Sequence, residues 1–202
     1  MGRRPKYSPD QILDAAASLL ADDGPHALSV ARIAGRLGAP SGSIYHRFGS
    51  RDVLVASLWL RVVEDFQEAL SPAFDEPDPH VAVRALARRI LDWARSDTQS
   101  AQLLMLHRST DLIDGEWPAD LVARNREQIA RVEQMIGVLG DRLGATSLAE
   151  RRRVVFAVVD IPYGAVRSAL GRGEAPGPEL DAIVDDAVVA VLNPLKIRKD
   201  TT

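Results

Sequence analysis

Residues 29–51, SVARIAGRLGAPSGSIYHRFGSR, decide the fold of this chain. The stretch begins with four apolar residues at the i, i+3, i+4 and i+7 positions of a helix with one buried face, namely Val30, Ile33, Ala34 and Leu37. Gly38 suits the end of that helix because glycine tolerates a positive φ. Pro40 suits the start of the next helix because its missing N–H needs no partner there. The sequence therefore predicts a helix-turn-helix.

The second helix of this motif carries only two clearly apolar residues, Ile44 and Phe48, which we expect to face inward. The remaining residues of this helix should face solvent, and they carry small hydroxyls, a glycine, an aromatic hydroxyl and an imidazole. A short exposed helix of that composition suits the major groove of DNA. The candidate DNA contacts on this helix are Pro40, Ser41, Gly42, Ser43, Tyr45 and His46.

Further candidate DNA contacts flank the reading helix. We expect Ser29 to cap the first helix of the motif and to bind a phosphate at that helix N-terminus. Arg32 and Arg51 add positive charge on either side of the motif. Arg4 belongs to a basic arm at residues 3–6, which either reaches into an adjacent minor groove or is a solvated tail.

Charge is unevenly distributed along the chain, whose formal net charge is −3. Residues 1–51 hold seven Lys/Arg and four Asp/Glu, so they carry +3 and the remainder carries −6. A basic head on an acidic body favours local attraction to phosphates. The alternative is ordinary surface charge, but the position of these residues around the helix-turn-helix favours DNA binding.

Several function classes lack their signatures in this sequence. There is no cysteine, so disulfides, thiolate catalysis and cysteine-ligated zinc are excluded. The four histidines show no metal-ligand spacing, and no phosphate loop or nucleophile elbow occurs. We predict no enzymatic activity, no cofactor and no metal.

The sequence also gives no sign of export or of a membrane span. The N-terminus MGRRPKYSPD has no apolar core of a signal peptide, and no uninterrupted apolar run reaches about 18 residues. We expect a cytoplasmic protein with no membrane partner.

Helical periodicity continues through the rest of the chain, with no strand-like alternation of useful length. We predict an all-α fold of about nine helices. An N-terminal three-helix helix-turn-helix domain occupies residues 1–50, and a helical ligand-binding and dimerisation domain occupies residues 51–202. The predicted helices outside the motif are residues 9–22, 51–70, 80–95, 98–107, 118–143, 148–170 and 178–192, with a frayed tail at 196–202.

Residues 9–59 resemble the DNA-binding domain of the TetR family of bacterial transcriptional repressors. The resemblance rests on IAGRLGAPSGSIYHRFGSRDVL, which has the Leu-Gly turn, the glycine before an apolar residue and tyrosine, the His-x-Phe, and the basic–acidic pair of that family. Pro40 and Ser41 depart from the family's usual residues. The resemblance implies that Tyr45 anchors the DNA backbone and that Arg51 binds a phosphate.

The same resemblance implies a sequence-specific transcriptional regulator, a homodimeric repressor released from a palindromic DNA operator by a small-molecule ligand. The alternative is a helical adaptor that binds another protein through a degenerate helix-turn-helix. We expect a four-helix dimer interface built by the last two helices, unless they pack only within the subunit. The candidate dimerisation residues are Val155, Val159, Val166, Leu170, Leu180, Ile183, Val184, Ala187, Val188 and Val191.

A ligand pocket among the remaining helices is a further implication of the resemblance. Its candidate residues are Trp93, Leu103, Leu106, His107, Phe156, Asp160 and Tyr163, with help from Phe66 or Met135. Asp160 lies in an apolar stretch, so we expect it to be buried as a pocket anchor or in a salt bridge. Pro162 is expected to kink its helix. The helix that begins after Ser50 is expected to transmit ligand binding to the DNA-binding domain.

Overall fold

The computed structural model describes residues 7–113 and 117–199, and within them it contains helices and no strand. The nine longer helices confirm the predicted all-α fold. Their bounds are α1 Pro9–Asp23, α2 Val30–Leu37, α3 Ser41–Phe48, α4 Arg51–Leu70, α5 Pro79–Ser96, α6 Thr98–Leu106, α7 Ala119–Arg142, α8 Leu148–Gly171 and α9 Glu179–Lys199. Short helical turns occupy Pro25–Ala27, Ser71–Ala73 and Ser109–Leu112.

Local capping sets both ends of α2 and the start of α4. The Ser29 hydroxyl accepts the Arg32 backbone N–H at 3.3 Å, which caps α2 as predicted. Gly38 ends α2 in the left-handed conformation, with φ 63° and ψ 34°. The Ser50 hydroxyl accepts the Val53 backbone N–H at 3.2 Å and caps α4. Because these contacts lie within a few residues of each other, the motif sets its own helix boundaries.

The N-terminal three helices pack around a small core that includes the fully buried side chains of Ile12, Ile33 and Ile44. α4 packs against α1 and α3 on one side and against α5, α6 and α7 on the other. α1 also contacts α6 directly. The N-terminal three helices therefore contact the rest of the chain through α6 as well as through the linking helix α4.

A single turn of π-helix interrupts α8 at Phe156–Asp160. The backbone N–H of Ile161 bonds to the carbonyl of Phe156, five residues back. Pro162 follows at once, and a missing N–H is a common origin of such a break. The kink predicted at Pro162 thus takes the form of a π-turn, which changes the direction in which the surrounding side chains point.

α9 is longer than the sequence predicts. The expected end was residue 192, but the helix runs through Pro194 to Lys199. Leu192 and Leu195 are both buried, so packing holds the last turns against the body.

α8 is long and apolar enough to cross a membrane by length and composition alone, with a mean hydropathy of 1.4 in its most apolar window. Asp160 and Arg167 interrupt its apolar residues, so the sequence still has no uninterrupted apolar run of about 18 residues. One face of α8 packs against α5, α6 and α9, as the core helix of a helical body does.

Candidate functional site

α3 presents an open face to solvent. Tyr45 is 52% exposed, and Ser41, Gly42 and His46 are exposed beside it. Ile44 points the other way and is buried, which fixes the rotation of the helix. The predicted inward and outward faces of α3 are therefore the observed ones.

Ser43 has a local bond. Its hydroxyl donates to the carbonyl of Pro40 at 2.7 Å, in the first turn of α3. Arg47 in turn donates to the carbonyl of Ser43 at 3.0 Å. Both side chains stabilise the short helix, and the Ser43 proton is already used within it.

The arginines of α2 bind acidic residues of α1. Arg32, a predicted DNA contact, lies 2.7 Å from the Asp23 carboxylate and is half exposed. Arg36 lies 2.6 Å from the Asp22 carboxylate and also donates to Ser18. These pairs hold α2 against the end of α1.

Arg51 stabilises the start of α4 through two contacts. Its Nε donates to the carbonyl of Leu28 at 2.5 Å, and its guanidinium lies 3.0 Å from the Asp52 carboxylate. Arg51, for which the family resemblance implies phosphate binding, thus also connects α4 to the segment before α2. Every arginine in the described part of the DNA-binding domain has a partner inside that domain. Arg4 and the rest of its basic arm lie outside the described residues.

Tyr7 makes a contact with the turn of the helix-turn-helix that the sequence did not indicate. Its hydroxyl donates to the carbonyl of Gly38 in the turn between α2 and α3, at 3.0 Å. A single aromatic residue before the α1 cap has no periodic signal, and its partner lies 31 residues away. The contact places the entry of the chain beside the helix-turn-helix.

Gly42 has no packing reason to be glycine. A Cβ built at this position would meet nothing within 4 Å. Glycine near the start of a helix lowers its stability relative to alanine. The open space at Gly42 is consistent with close approach of another molecule to the backbone.

The body encloses a cavity of about 110 Å³ between α4, α5, α7 and α8. Its walls include Phe66, Ile90, Met135, Val158 and Tyr163. Tyr163 is the predicted pocket residue that the structure places there, together with the two auxiliary candidates, Phe66 and Met135.

Trp93 lies behind the cavity wall. Its ring packs edge-on against Phe66, with the ring centroids 4.7 Å apart. Leu103 is buried in the core, whereas Leu106 and His107 are half-buried near the end of α6. None of these four candidates lines the cavity.

The prediction that Phe156 and Asp160 line the ligand pocket is wrong. Both are exposed, and they lie in a surface groove formed by α8 and α9. The π-turn that contains them adds a residue to one helical turn, so they project away from the cavity. The expectation that Asp160 is buried is therefore wrong, and its charge needs no internal partner.

Tyr163 connects the cavity wall to α6. Its hydroxyl donates to the carbonyl of Leu104 at 2.7 Å. Burial raises the pKa of Tyr163 to about 12, since the phenolate would lose its hydration. The side chain is therefore a neutral donor, fixed in direction, at neutral pH.

The candidate dimerisation residues fall into three groups by exposure. Val166, Leu170, Val184 and Val188 are buried within the subunit, so they cannot form an interface. Val155 and Ile183 are exposed, while the half-buried members are Val159, Leu180, Ala187 and Val191.

Other exposed apolar side chains on α8 and α9 were not predicted as interface residues. They are Leu148, Phe156 and Val189. Helical periodicity could not separate the two faces, because valine occurs on both of them.

Comparison with known proteins agrees with this geometry. A model of the family described as bacterial regulatory proteins, tetR family, matches residues 12–58, which run from α1 into α4. The HTH-type transcriptional repressor Rv3405c of Mycobacterium tuberculosis is 28% identical over 191 residues, covering 91% of this chain and 88% of that protein.

Two solved structures share the fold over nearly the whole chain. A TetR-like transcriptional regulator from Rhodococcus sp. RHA1 has a TM-score of 0.68 at 21% identity, covering 94% of this chain and 96% of the other. FadR from Bacillus subtilis, in complex with stearoyl-CoA, has a TM-score of 0.65 at 17% identity, covering 93% and 97%.

The described residues hold no group of three or more His, Cys, Asp or Glu that could bind a metal ion. The exposed face of α3, the capped helix-turn-helix that supports it and the matching family together define the function of the N-terminal domain. Residues 12–58 match the model of the tetR family of bacterial regulatory proteins, and over most of its length the chain is similar to an HTH-type, DNA-binding transcriptional repressor.

Proposed function

We propose that the protein is a homodimeric repressor that leaves a palindromic operator when a small molecule binds in its body. The exposed face of α3 carries this proposal, because one such short helix contacts few base pairs. Two copies related by a twofold axis place their reading helices in major grooves roughly 34–36 Å apart. The operator is then an inverted repeat.

Dimerisation is supported by apolar surface on α8 and α9. Phe156 is 49% exposed, Ile183 is 59% exposed and Val189 is 48% exposed, on two helices that pack side by side. Clusters of exposed large apolar side chains are typical of interaction surfaces. A twofold arrangement of the two helices from each subunit covers this surface with a four-helix interface.

Ligand control is supported by the connections of the cavity. α4 contributes Phe66 to the cavity wall and packs against α1 and α3. α6 accepts the Tyr163 hydrogen bond at Leu104 and packs against α1. A ligand that favours a different position of α4 or α6 shifts the DNA-binding domains only through its differential affinity for the two states.

The first experiment selects bound sequences from a randomised duplex library at near-physiological salt, with wild type and Tyr45→Ala in parallel. We expect an inverted repeat with wild type and no enrichment with the variant. Because Tyr45 is half exposed, its removal should change the free energy of unfolding by less than about 0.5 kcal/mol. Enrichment that is indifferent to Tyr45, or a single half-site, would contradict the proposal and favour the adaptor function.

A further inference from the structure

The cavity in the body has two polar side chains in its wall, Gln67 and Tyr163. The Tyr163 proton is used, because the hydroxyl donates to the carbonyl of Leu104. Gln67 Nε2 donates to the carbonyl of Gln128 on α7, at 3.2 Å. Gln67 Oε1 is buried and has no hydrogen-bond partner among the described residues.

The orientation of the Gln67 amide follows from its one bond. If the amide were reversed, its oxygen would face the carbonyl oxygen of Gln128, and two acceptors would oppose each other. A buried acceptor without a partner is unfavourable, and native proteins contain few of them. A bound molecule with a hydrogen-bond donor would supply the partner that Gln67 Oε1 lacks.

The rest of the cavity wall determines which molecules carry that donor. Apart from Gln67 and Tyr163, all of its lining residues are apolar, with contributions such as Leu70, Phe74 and Ile136. An ion in such a wall would lose its hydration without gaining a counter-charge. The occupant is therefore uncharged.

The volume of the cavity and its position next to the surface further limit which molecules can bind in it. The cavity measures about 110 Å³, compared with about 150 Å³ for an apolar cavity that binds benzene. Gln67 and Met135 also line a surface depression between α4 and α7, so these two side chains border both spaces. The Gln67 amide therefore lies where the cavity and this depression approach each other.

We propose that this cavity binds an uncharged apolar compound, of single-ring or short-chain size, that donates one hydrogen bond to Gln67 Oε1. The inference rests on the proposed ligand control and adds the chemistry of the ligand. A phenol or a short alcohol meets both requirements. A hydrocarbon of the same shape leaves the amide oxygen unpaired, and a carboxylate brings an unpaired charge.

The test compares phenol with toluene, two rings of nearly equal size that differ in the donor. Calorimetry gives the Kd of each for the full-length wild type, for Gln67→Met and for Gln67→Leu. We expect the ratio of the toluene Kd to the phenol Kd to fall about tenfold in both variants. Gln134→Met, at an exposed site on α7, is the matched control and should leave the ratio unchanged.

The outcomes separate this inference from the proposed function. An unchanged ratio in both Gln67 variants overturns the hydrogen bond, and benzoate binding as tightly as phenol overturns the requirement for a neutral ligand. Failure of both rings to bind wild type overturns the site itself. If phenol binds with the expected ratio but operator complexes persist, the ligand chemistry stands and the proposed release from DNA fails.

Discussion

At the scale of single residues, the DNA-binding domain separates the side chains that hold it together from those that face outward. Arg32, Arg36 and Arg51 all bind partners in residues 22–28 of this domain. Tyr45 and His46 on α3 remain exposed. Among the described candidate residues, the exposed face of α3 is therefore the surface without such internal ion pairs.

Gly42→Ala should act on stability and on DNA binding in opposite directions. The free energy of unfolding should rise by up to about 1 kcal/mol, because alanine is the better helix former and the site has open space. Operator affinity should fall about tenfold or more if DNA approaches this backbone, since about 1.4 kcal/mol of lost contact has that effect. Urea unfolding and a fluorescence anisotropy titration measure the two quantities.

Gly137→Ala is the control for this substitution. Gly137 lies within α7, also with nothing within 4 Å of a built Cβ, and α7 is outside the DNA-binding domain. The control should become more stable and bind operator normally. Unchanged operator affinity in Gly42→Ala would show that the backbone at Gly42 does not approach DNA closely.

At the scale of secondary-structure elements, the π-turn decides what α8 presents to its surroundings. It exposes Phe156 and Asp160, while Val158 and Tyr163 line the cavity. The same helix thus contributes to a proposed interface on one side and to a ligand cavity on the other. The Tyr163 hydrogen bond connects this helix to α6.

Tyr163→Phe should lower stability at pH 8 and lose much of that effect by pH 11. The pKa of Tyr163 is raised to about 12 from an ordinary 10.0. The stabilisation from the neutral phenol is therefore complete below pH 10 and is lost as the pH rises towards 12. At pH 8 the variant loses about 0.5–1.5 kcal/mol with the hydrogen bond.

By pH 11 the difference between wild type and variant should shrink by about 1.4 kcal/mol, one pH unit of proton linkage. Urea unfolding of both proteins at the two pH values measures it. A difference that stays constant from pH 8 to pH 11 would contradict burial of a neutral tyrosine.

At the scale of the whole molecule, two surfaces must act together. The reading helix at one end is useful on an inverted repeat only if the exposed side chains of α8 and α9 join two copies. The cavity lies between these surfaces, in contact with α4 and α8. In the proposed dimer, DNA binding and release by a ligand would both depend on how the two subunits are held relative to one another.

Phe156→Glu should give a folded monomer that no longer binds the inverted repeat. A glutamate from each subunit would bring two like charges into an apolar interface, which should weaken dimerisation by about 100-fold or more. Ile129→Glu is the control, because Ile129 is 51% exposed on α7, which is outside the proposed interface. Light scattering gives the mass and circular dichroism the fold.

A Phe156→Glu variant that remains dimeric would remove α8 from the interface. Val184→Glu is a less useful test, although Val184 is a candidate interface residue by sequence. Its side chain is buried within the subunit, so a charge there should unfold the protein instead of separating two copies.

The sequence by itself determined the helical class of the fold, the caps of α2 and α4, and the inward and outward faces of α3. Ser29, Gly38 and Ser50 act on groups a few residues away, so their effect can be predicted from the local sequence. The motif was recognisable for the same reason, since its residues occupy one short continuous stretch.

Only the tertiary structure decided the roles of the apolar and charged residues elsewhere. The valines of α8 and α9 look alike in sequence, and packing against α5 together with the π-turn determines which are buried. The partners of Tyr7 and Arg51 lie 31 and 23 residues away. The unpaired oxygen of Gln67 exists only because α4, α7 and α8 meet around it, and no local pattern encodes such a meeting.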